Sequence, residues 1–96
     1  MQKVDMTIRY ELGHSYEETW IQTNYHCPYC GYDQVWVEDH SGDYYTGPTH
    51  LCVACTSAFH LPSKPSPTNL KSRKDGDWQN AQRYEAITKA IEGNQP

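Results

Sequence analysis

Four cysteines are the residues of this chain whose type and spacing most clearly indicate a chemistry. They form two pairs, Cys27 with Cys30 and Cys52 with Cys55, and two residues separate the sulfurs of each pair. This spacing lets one tight turn aim two thiolates at a common point, as in tetrahedral zinc sites. Four thiolates fill every position around such an ion and leave none for water. The cysteines therefore predict one Zn²⁺ ion with a structural role.

The residues around the first pair suit a tight turn. Pro28 fixes the backbone φ angle at the first corner, and Gly31 follows the second sulfur, where a left-handed backbone is often needed. Residues 31–51 separate the two pairs, and this separation slightly exceeds the 15–20 residues or so of similar zinc patterns. A hairpin with a longer tip accommodates the excess.

Residues 25–61 resemble a zinc ribbon. The string C-P-Y-C-G at 27–31 matches the first knuckle of that superfamily, and 52–55 match the second C-x-x-C knuckle, one hairpin later. Family members often carry a glycine and then an aromatic residue after the second knuckle; here Thr56 replaces the glycine and Phe59 supplies the aromatic ring. The resemblance implies the ribbon fold and the metal. Zinc ribbons occur in transcription factors, polymerase subunits and ribosomal proteins.

Disulfide bonds and histidine ligands are the alternatives to a four-cysteine site. The first residues lack the apolar segment of a signal peptide, and no apolar run reaches the length of about 18 residues that crosses a membrane. A cytoplasmic chain is therefore predicted, and its thiols would stay reduced. His26, His50 and His60 lie near the knuckles. Because four cysteines already complete the site, these histidines are expected to lie outside it.

The knuckles need strands to hold them in place. Apolar and polar residues alternate along 3–12, which predicts a strand with one buried face. Residues 16–25 are rich in β-branched and aromatic side chains and predict a second strand, paired with the first and leading into Cys27. Further short strands are expected within 33–39, 44–46, 49–51 and 57–61.

The C-terminal third changes character twice. Residues 62–76 hold three prolines and four of the eight Lys and Arg residues, which predicts a linker. Residues 77–93 predict a helix with an apolar stripe from Trp78 to Ile91 and with Arg83 on its polar side. The stripe is expected to pack on the sheet; a homodimer through the helix and insertion into a groove of a partner are the alternatives.

These elements predict a small α+β protein, in which an antiparallel sheet with a four-cysteine zinc ribbon is joined to one C-terminal amphipathic helix. Its parts are an N-terminal hairpin and ribbon at 1–61, a linker at 62–76 and the helix at 77–93. With 36% apolar residues and a mean hydropathy of −0.89, a chain of 96 residues is expected to need a metal or disulfides to stabilise its small core.

Charge and motifs limit the function classes. The net charge is −4 with neutral thiols; ionising four thiols and adding Zn²⁺ makes it about −6, which opposes extended binding to nucleic acid. The sequence has no nucleophile-elbow string and no glycine-rich phosphate loop. We therefore expect a module without enzymatic activity that binds a protein partner and no membrane. A regulator of transcription or replication machinery, encoded by a phage or plasmid, would suit this size and composition.

Direct binding of nucleic acid by the ribbon aromatics and the basic linker is the alternative function. For either function, the candidate partner surface consists of aromatic residues of the ribbon and basic residues of the linker. They are Tyr29, Tyr32, Trp36, Tyr44, Tyr45, Lys71, Arg73 and Lys74. The simpler explanation of the aromatic residues is that they cover the small sheet.

Overall fold

The computed structural model describes residues 2–9, 13–39, 48–60, 68–72 and 78–93. Its strands are β1 (Lys3–Arg9), β2 (Ser15–Gln22), β3 (Trp36–Glu38), β4 (His50–Cys52), β5 (Ser57–Phe59) and β6 (Thr68–Asn69), and its helix is α1 (Trp78–Gly93). The strands form one antiparallel sheet in sequence order. The predicted small α+β fold is confirmed. The strand predicted at 44–46 lies outside the described residues.

The first hairpin sets the two faces of the sheet. Val4, Met6 and Ile8 are buried on β1 while the residues between them are exposed, as the alternation predicts. On β2, Trp20 lies opposite Val4, and Glu18 lies opposite Met6. We call the face that carries these residues the helix face, because α1 packs on it, and the opposite face the knuckle face.

The main core lies between the helix face and α1. The helix packs against β1 and β6, and its stripe buries Ala81 and Ile87. Packing on the sheet is thus confirmed as the position of the helix. Buried core residues of this layer are Val4, Met6, Ile8, Trp20, Trp36, Leu51, Ala58, Leu70 and Ile87. Within the described ranges, no helix is both long and apolar enough to cross a bilayer.

A buried ion pair joins α1 to the first hairpin. Arg83 Nε and Nη2 donate to the two carboxylate oxygens of Glu18, each at 2.8 Å. Trp20 Nε1 also donates to Glu18, and Arg83 Nη1 donates to Asn80 Oδ1. The prediction that Arg83 lies on the polar side of the helix is wrong, because its side chain is buried against the sheet, where Glu18 balances its charge.

Part of the segment predicted as a linker belongs to the sheet. Thr68 and Asn69 pair with β5, and Leu70 is fully buried in the main core. The Leu70 amide also donates to the carbonyl of Thr56 at 2.8 Å. The linker prediction therefore does not hold for 68–72, because an apolar side chain there fills the core and a strand covers the edge of β5. Residues 62–67 and 73–76 lie outside the described residues.

Candidate metal centre

The first knuckle is a tight turn between β2 and β3. The Gly31 amide donates to the Cys27 carbonyl at 2.9 Å, and the Cys27 amide donates to the Tyr32 carbonyl at 2.7 Å. Gly31 has a φ angle of 82°, which confirms the predicted left-handed backbone. The Tyr29 amide lies 3.4 Å from the Cys27 sulfur and points its hydrogen at it. Such a bond spreads the charge of a thiolate.

The second knuckle closes the hairpin between β4 and β5. Cys52 ends β4 and lies opposite Ser57, the first residue of β5. Thr56 has a φ angle of 57°, so a β-branched residue takes the left-handed backbone conformation that favours glycine. Its hydroxyl donates to the Cys55 carbonyl at 2.7 Å. The hydroxyl of Ser57 lies 2.9 Å from the Cys55 sulfur.

The two knuckles bring their four sulfurs together. The Cys27 and Cys55 sulfurs are 3.7 Å apart, the Cys30 and Cys52 sulfurs are 3.5 Å apart, and all four lie within 4.8 Å of one another. Tetrahedral Zn–S bonds of about 2.3 Å require sulfurs about 3.8 Å apart, whereas a disulfide requires about 2.05 Å. All four cysteines are free. The cluster is a single site for one structural Zn²⁺ ion, because the spacing of its sulfurs fits that ion and not a disulfide bond.

A second, smaller core surrounds the site. Cys27 and Cys52 are buried with Val35 and Phe59, and Tyr32 packs beside them. Cys30 is exposed. The metal site therefore faces solvent at Cys30 and is buried at Cys27 and Cys52. The packing of the buried side fixes the positions of the knuckles relative to the sheet.

The environment of the site in the folded chain shifts the pKa of its thiols. Burial raises the pKa of the Cys52 thiol far above its ordinary value and raises the pKa of Cys55 as well. A backbone hydrogen bond at Tyr32 lowers the pKa of Cys30. Desolvation, with a smaller contribution from Asp33, raises the pKa of the Tyr32 hydroxyl. Zinc must therefore displace protons from the buried sulfurs when it binds.

The three neighbouring histidines lie outside the cluster. The metal-ligand group found within the described residues consists of the four cysteines alone. His50 stacks on Phe59 with ring centroids 5.4 Å apart, and its Nδ1 lies 2.7 Å from the Thr49 hydroxyl. Burial and the nearby His60 lower the pKa of His50. His26 and His60 are exposed.

The structure separates the residues predicted as a partner surface. Tyr29 is exposed in the first knuckle, and its ring centre lies 5.3 Å from that of Phe59 in a T-shaped arrangement. Tyr32 is half-buried, and its hydroxyl donates to Gln34. Lys71 is exposed on the helix side, where its ammonium lies 5.7 Å from the ring centre of Tyr84. The basic charge of Lys71 and the exposed ring of Tyr29 are therefore not shown to form one surface.

The prediction that Trp36 belongs to a partner surface is wrong. Its side chain is fully buried in the main core, because Trp36 pairs with Leu51 on the helix face of the sheet. Its indole Nε1 has no hydrogen-bond partner among the described residues. Tyr44, Tyr45, Arg73 and Lys74 lie outside the described residues.

The sequence did not predict a row of neighbouring side chains on the knuckle face. Ile21, Val37, His50 and Phe59 are direct neighbours on four successive strands, β2 to β5. We call these four residues the lateral row. Tyr25, which is 43% exposed, lies with its ring 5.8 Å from that of His50. One feature of the sequence indicates the row: Ile21 and Val37 directly follow Trp20 and Trp36, and adjacent residues of a strand point to opposite faces.

Comparison with protein-family models, with characterised proteins and with solved structures finds no match to this chain.

Proposed function

We propose that this chain is a zinc-ribbon module without enzymatic activity that binds a protein partner through the knuckle face of its sheet. The observation that carries the proposal is the lateral row, in which Ile21, Val37 and His50 are half-buried rather than covered. Tyr25 and Tyr29 add exposed rings at its knuckle end. Tyrosine is enriched among the few residues that provide most of the energy of protein interfaces, and apolar neighbours exclude water from around them.

The two faces of the sheet differ in what covers them. Helix α1 packs on the helix face and uses its apolar stripe there. The first knuckle lies at the Phe59 end of the knuckle face, where the Tyr29 ring contacts Phe59, and Ile21 and Val37 keep part of their surface exposed. A homodimer through the apolar stripe of α1 would have to compete with this packing. The knuckle face is therefore the better candidate for a partner.

The zinc site supports the partner surface rather than a reaction. Two knuckles, of which the second closes a β-hairpin, are the arrangement of a zinc ribbon, and four thiolates leave no coordination position for a substrate. Zinc binding in comparable peptides stabilises folding by about 10–16 kcal/mol. In this proposal the ion positions Tyr25, Tyr29 and Phe59, and the partner belongs to transcription or replication machinery.

Site-directed photocrosslinking in an extract of the source cells tests the proposal. A benzophenone amino acid would replace Val37 in the lateral row or, as the control, Lys89 on the exposed side of α1. We expect one protein to crosslink to the Val37 position and not to the Lys89 position, and to disappear when a chelator removes the zinc. Equal crosslinking from both positions, or none from Val37, would contradict the proposal.

Binding of single-stranded nucleic acid is the second candidate function, because the exposed rings of Tyr25 and Tyr29 could stack on bases. The position of Lys71 opposes this candidate, because its ammonium lies over Tyr84 of α1 and not with the exposed tyrosines of the knuckle face. Titration with a fluorescent oligothymidylate distinguishes the candidates. Binding at low salt that weakens steeply as salt is added would favour nucleic acid, and absence of binding at low salt would eliminate it.

A further inference from the structure

We infer that the segment of the partner that binds the lateral row is an extended, lysine- or arginine-rich peptide with one apolar anchor. This inference rests on the proposed function and specifies the chemistry of the partner. Three observations carry it: a line of carboxylates on one side of the row, the zinc thiolates on the other, and the position of the cations.

The carboxylates lie one step from the row along the strands. Thr19 precedes Ile21 by two residues and lies between Asp5 and Asp39: its hydroxyl donates to Asp5 Oδ1, and its carbonyl accepts from the Asp39 amide, both at 2.7 Å. Glu17 follows on the same face of β2. Asp5, Asp39 and Glu17 are all exposed. This side of the row is therefore acidic and open to solvent.

The metal site lies on the opposite side of the row. Cys52 follows His50 by two residues on the knuckle face, and all four thiolates gather there. Four thiolates and one Zn²⁺ ion leave a formal charge of −2 at this end. The apolar row thus runs between two regions of negative charge, and a basic segment fits both of them while nucleic acid phosphate fits neither.

Cations on this face lie on the outermost strand. Lys3 is opposite Ile21 at the end of the row, and Arg9 is opposite Ser15 at the far corner. The buried Arg83 is neutralised by Glu18 on the helix face. Among the described residues, Lys3 is therefore the one Lys or Arg placed next to the lateral row, and it offsets only part of the surrounding negative charge.

The spacing of the face matches that of an extended peptide. Neighbouring rows of the sheet are two residues apart along a strand, which is about 7 Å. Alternate side chains of an extended peptide have the same separation. If the apolar anchor of the peptide lies on Ile21 and Val37, the basic side chain two positions before or after it lies next to Asp39 and Thr19. The basic side chain two positions away in the other direction lies towards the knuckles.

Nuclear magnetic resonance of the zinc-loaded protein tests this with three designed peptides. In the first, Lys, Trp and Lys occupy alternate positions between threonines; the second replaces both Lys residues with Glu, and the third replaces Trp with Ala. We expect the first to bind and to shift the amides of Thr19, Ile21 and Val37. The Glu peptide should not bind, and the Ala peptide should bind at least about fivefold more weakly.

Charge-neutralising variants assign the effect to the carboxylates. Glu17→Gln together with Asp39→Asn should weaken the binding of the Lys peptide about fourfold to 25-fold, since each exposed ion pair contributes about twofold to fivefold. Glu92→Gln, an exposed carboxylate near the end of α1, is the matched control and should change nothing. Equal binding of the Glu peptide, shifts confined to α1, or no binding of the Lys peptide would overturn the inference.

Different results would reject the basic partner and the proposed function. A protein that crosslinks to Val37, combined with no preference for the Lys peptide, would leave the function intact and reject the basic partner. Absence of a crosslinked protein would reject the function itself. An oligothymidylate that shifts Ile21 and Val37 would reject both in favour of nucleic acid.

Discussion

Gln82 of α1 hydrogen-bonds both backbone groups of Arg9 on β1. Its side-chain amide donates to the Arg9 carbonyl at 2.9 Å, and its side-chain oxygen accepts from the Arg9 amide at 2.8 Å. The Gln22 amide of β2 donates to the Gln2 carbonyl, so the backbone groups of Gln2 point towards β2. These groups alternate in direction along an antiparallel pair. Those of Arg9, an odd number of residues further on, therefore point to the outer edge of the sheet. Gln82 therefore caps the edge strand, where free backbone groups favour association with other chains.

Replacing Gln82 with Ala should expose this edge. We expect a loss of about 0.5–1.5 kcal/mol in the free energy of unfolding, together with stronger self-association in sedimentation measurements. Lys89→Ala, on the exposed side of the same helix, is the control because it carries a similar change in helix propensity. If both variants unfold at the same denaturant concentration and sediment alike, the edge cap has no energetic role.

The ion pair of Arg83 and Glu18 should show strong coupling in a double-mutant cycle. Arg83→Met leaves the Glu18 carboxylate buried without its cation and should cost about 3–5 kcal/mol. Combining it with Glu18→Gln removes that charge, so the double variant should be more stable than Arg83→Met alone. Denaturant unfolding of the zinc-loaded proteins measures all four corners. Additive effects would mean that the two side chains stabilise the fold independently.

The features that the sequence predicts well are local. Two C-x-x-C pairs identify the metal site because the ligands of each pair lie in one turn, and alternation along 3–9 identifies the buried face of β1. Trp36 could not be placed because Val35, Trp36 and Val37 are all apolar, so the pattern gives no phase for a strand of three residues. The pairing of Arg83 with Glu18 joins residues 65 positions apart, and no periodicity of either segment reveals it.

Leu70 shows the limit of composition as a guide. Prolines and lysines around it predict a linker, yet its own side chain is fully buried and its amide bonds to Thr56. A single apolar residue has no period and gives no signal against such a background. The same applies to the lateral row, whose members come from four strands and become neighbours only through the register of the sheet.

Removing one zinc ligand should unfold the chain. Cys27→Ser and Cys55→Ser each eliminate a thiolate from a site whose stabilisation of about 10–16 kcal/mol exceeds the stability expected of so small a core. Both variants should lose the cooperative thermal transition in circular dichroism, and elemental analysis should find one zinc per wild-type chain. Ser57→Ala, which removes the hydroxyl next to Cys55, is the control and should fold with one zinc. A native melting temperature in either cysteine variant would refute a structural zinc.

Zinc affinity should fall as pH falls. An ordinary cysteine thiol has a pKa of about 8.5, and burial raises the pKa of Cys52 and Cys55 further in the folded chain. In either state these thiols hold their protons at neutral pH until zinc displaces them. The slope of log affinity against pH equals the number of protons released, and we expect about two to four between roughly pH 5.5 and 7.5. Competition with a chelator of known proton affinity measures this slope. A slope below about one would mean that the sulfurs are already ionised before zinc arrives.

Thr56→Gly should stabilise the second knuckle. A β-branched residue at a φ of 57° is strained by its Cβ, at a cost of about 1–2 kcal/mol, which glycine avoids. Two losses offset this gain: the hydroxyl bond to the Cys55 carbonyl and the greater freedom of glycine in the unfolded chain. We expect a net increase of about 0.5 kcal/mol in the free energy of unfolding of the zinc-loaded protein. Gly31→Ala, at a φ of 82° in the first knuckle, should have the opposite effect, and a loss of stability in Thr56→Gly would show that the threonine hydroxyl outweighs the strain.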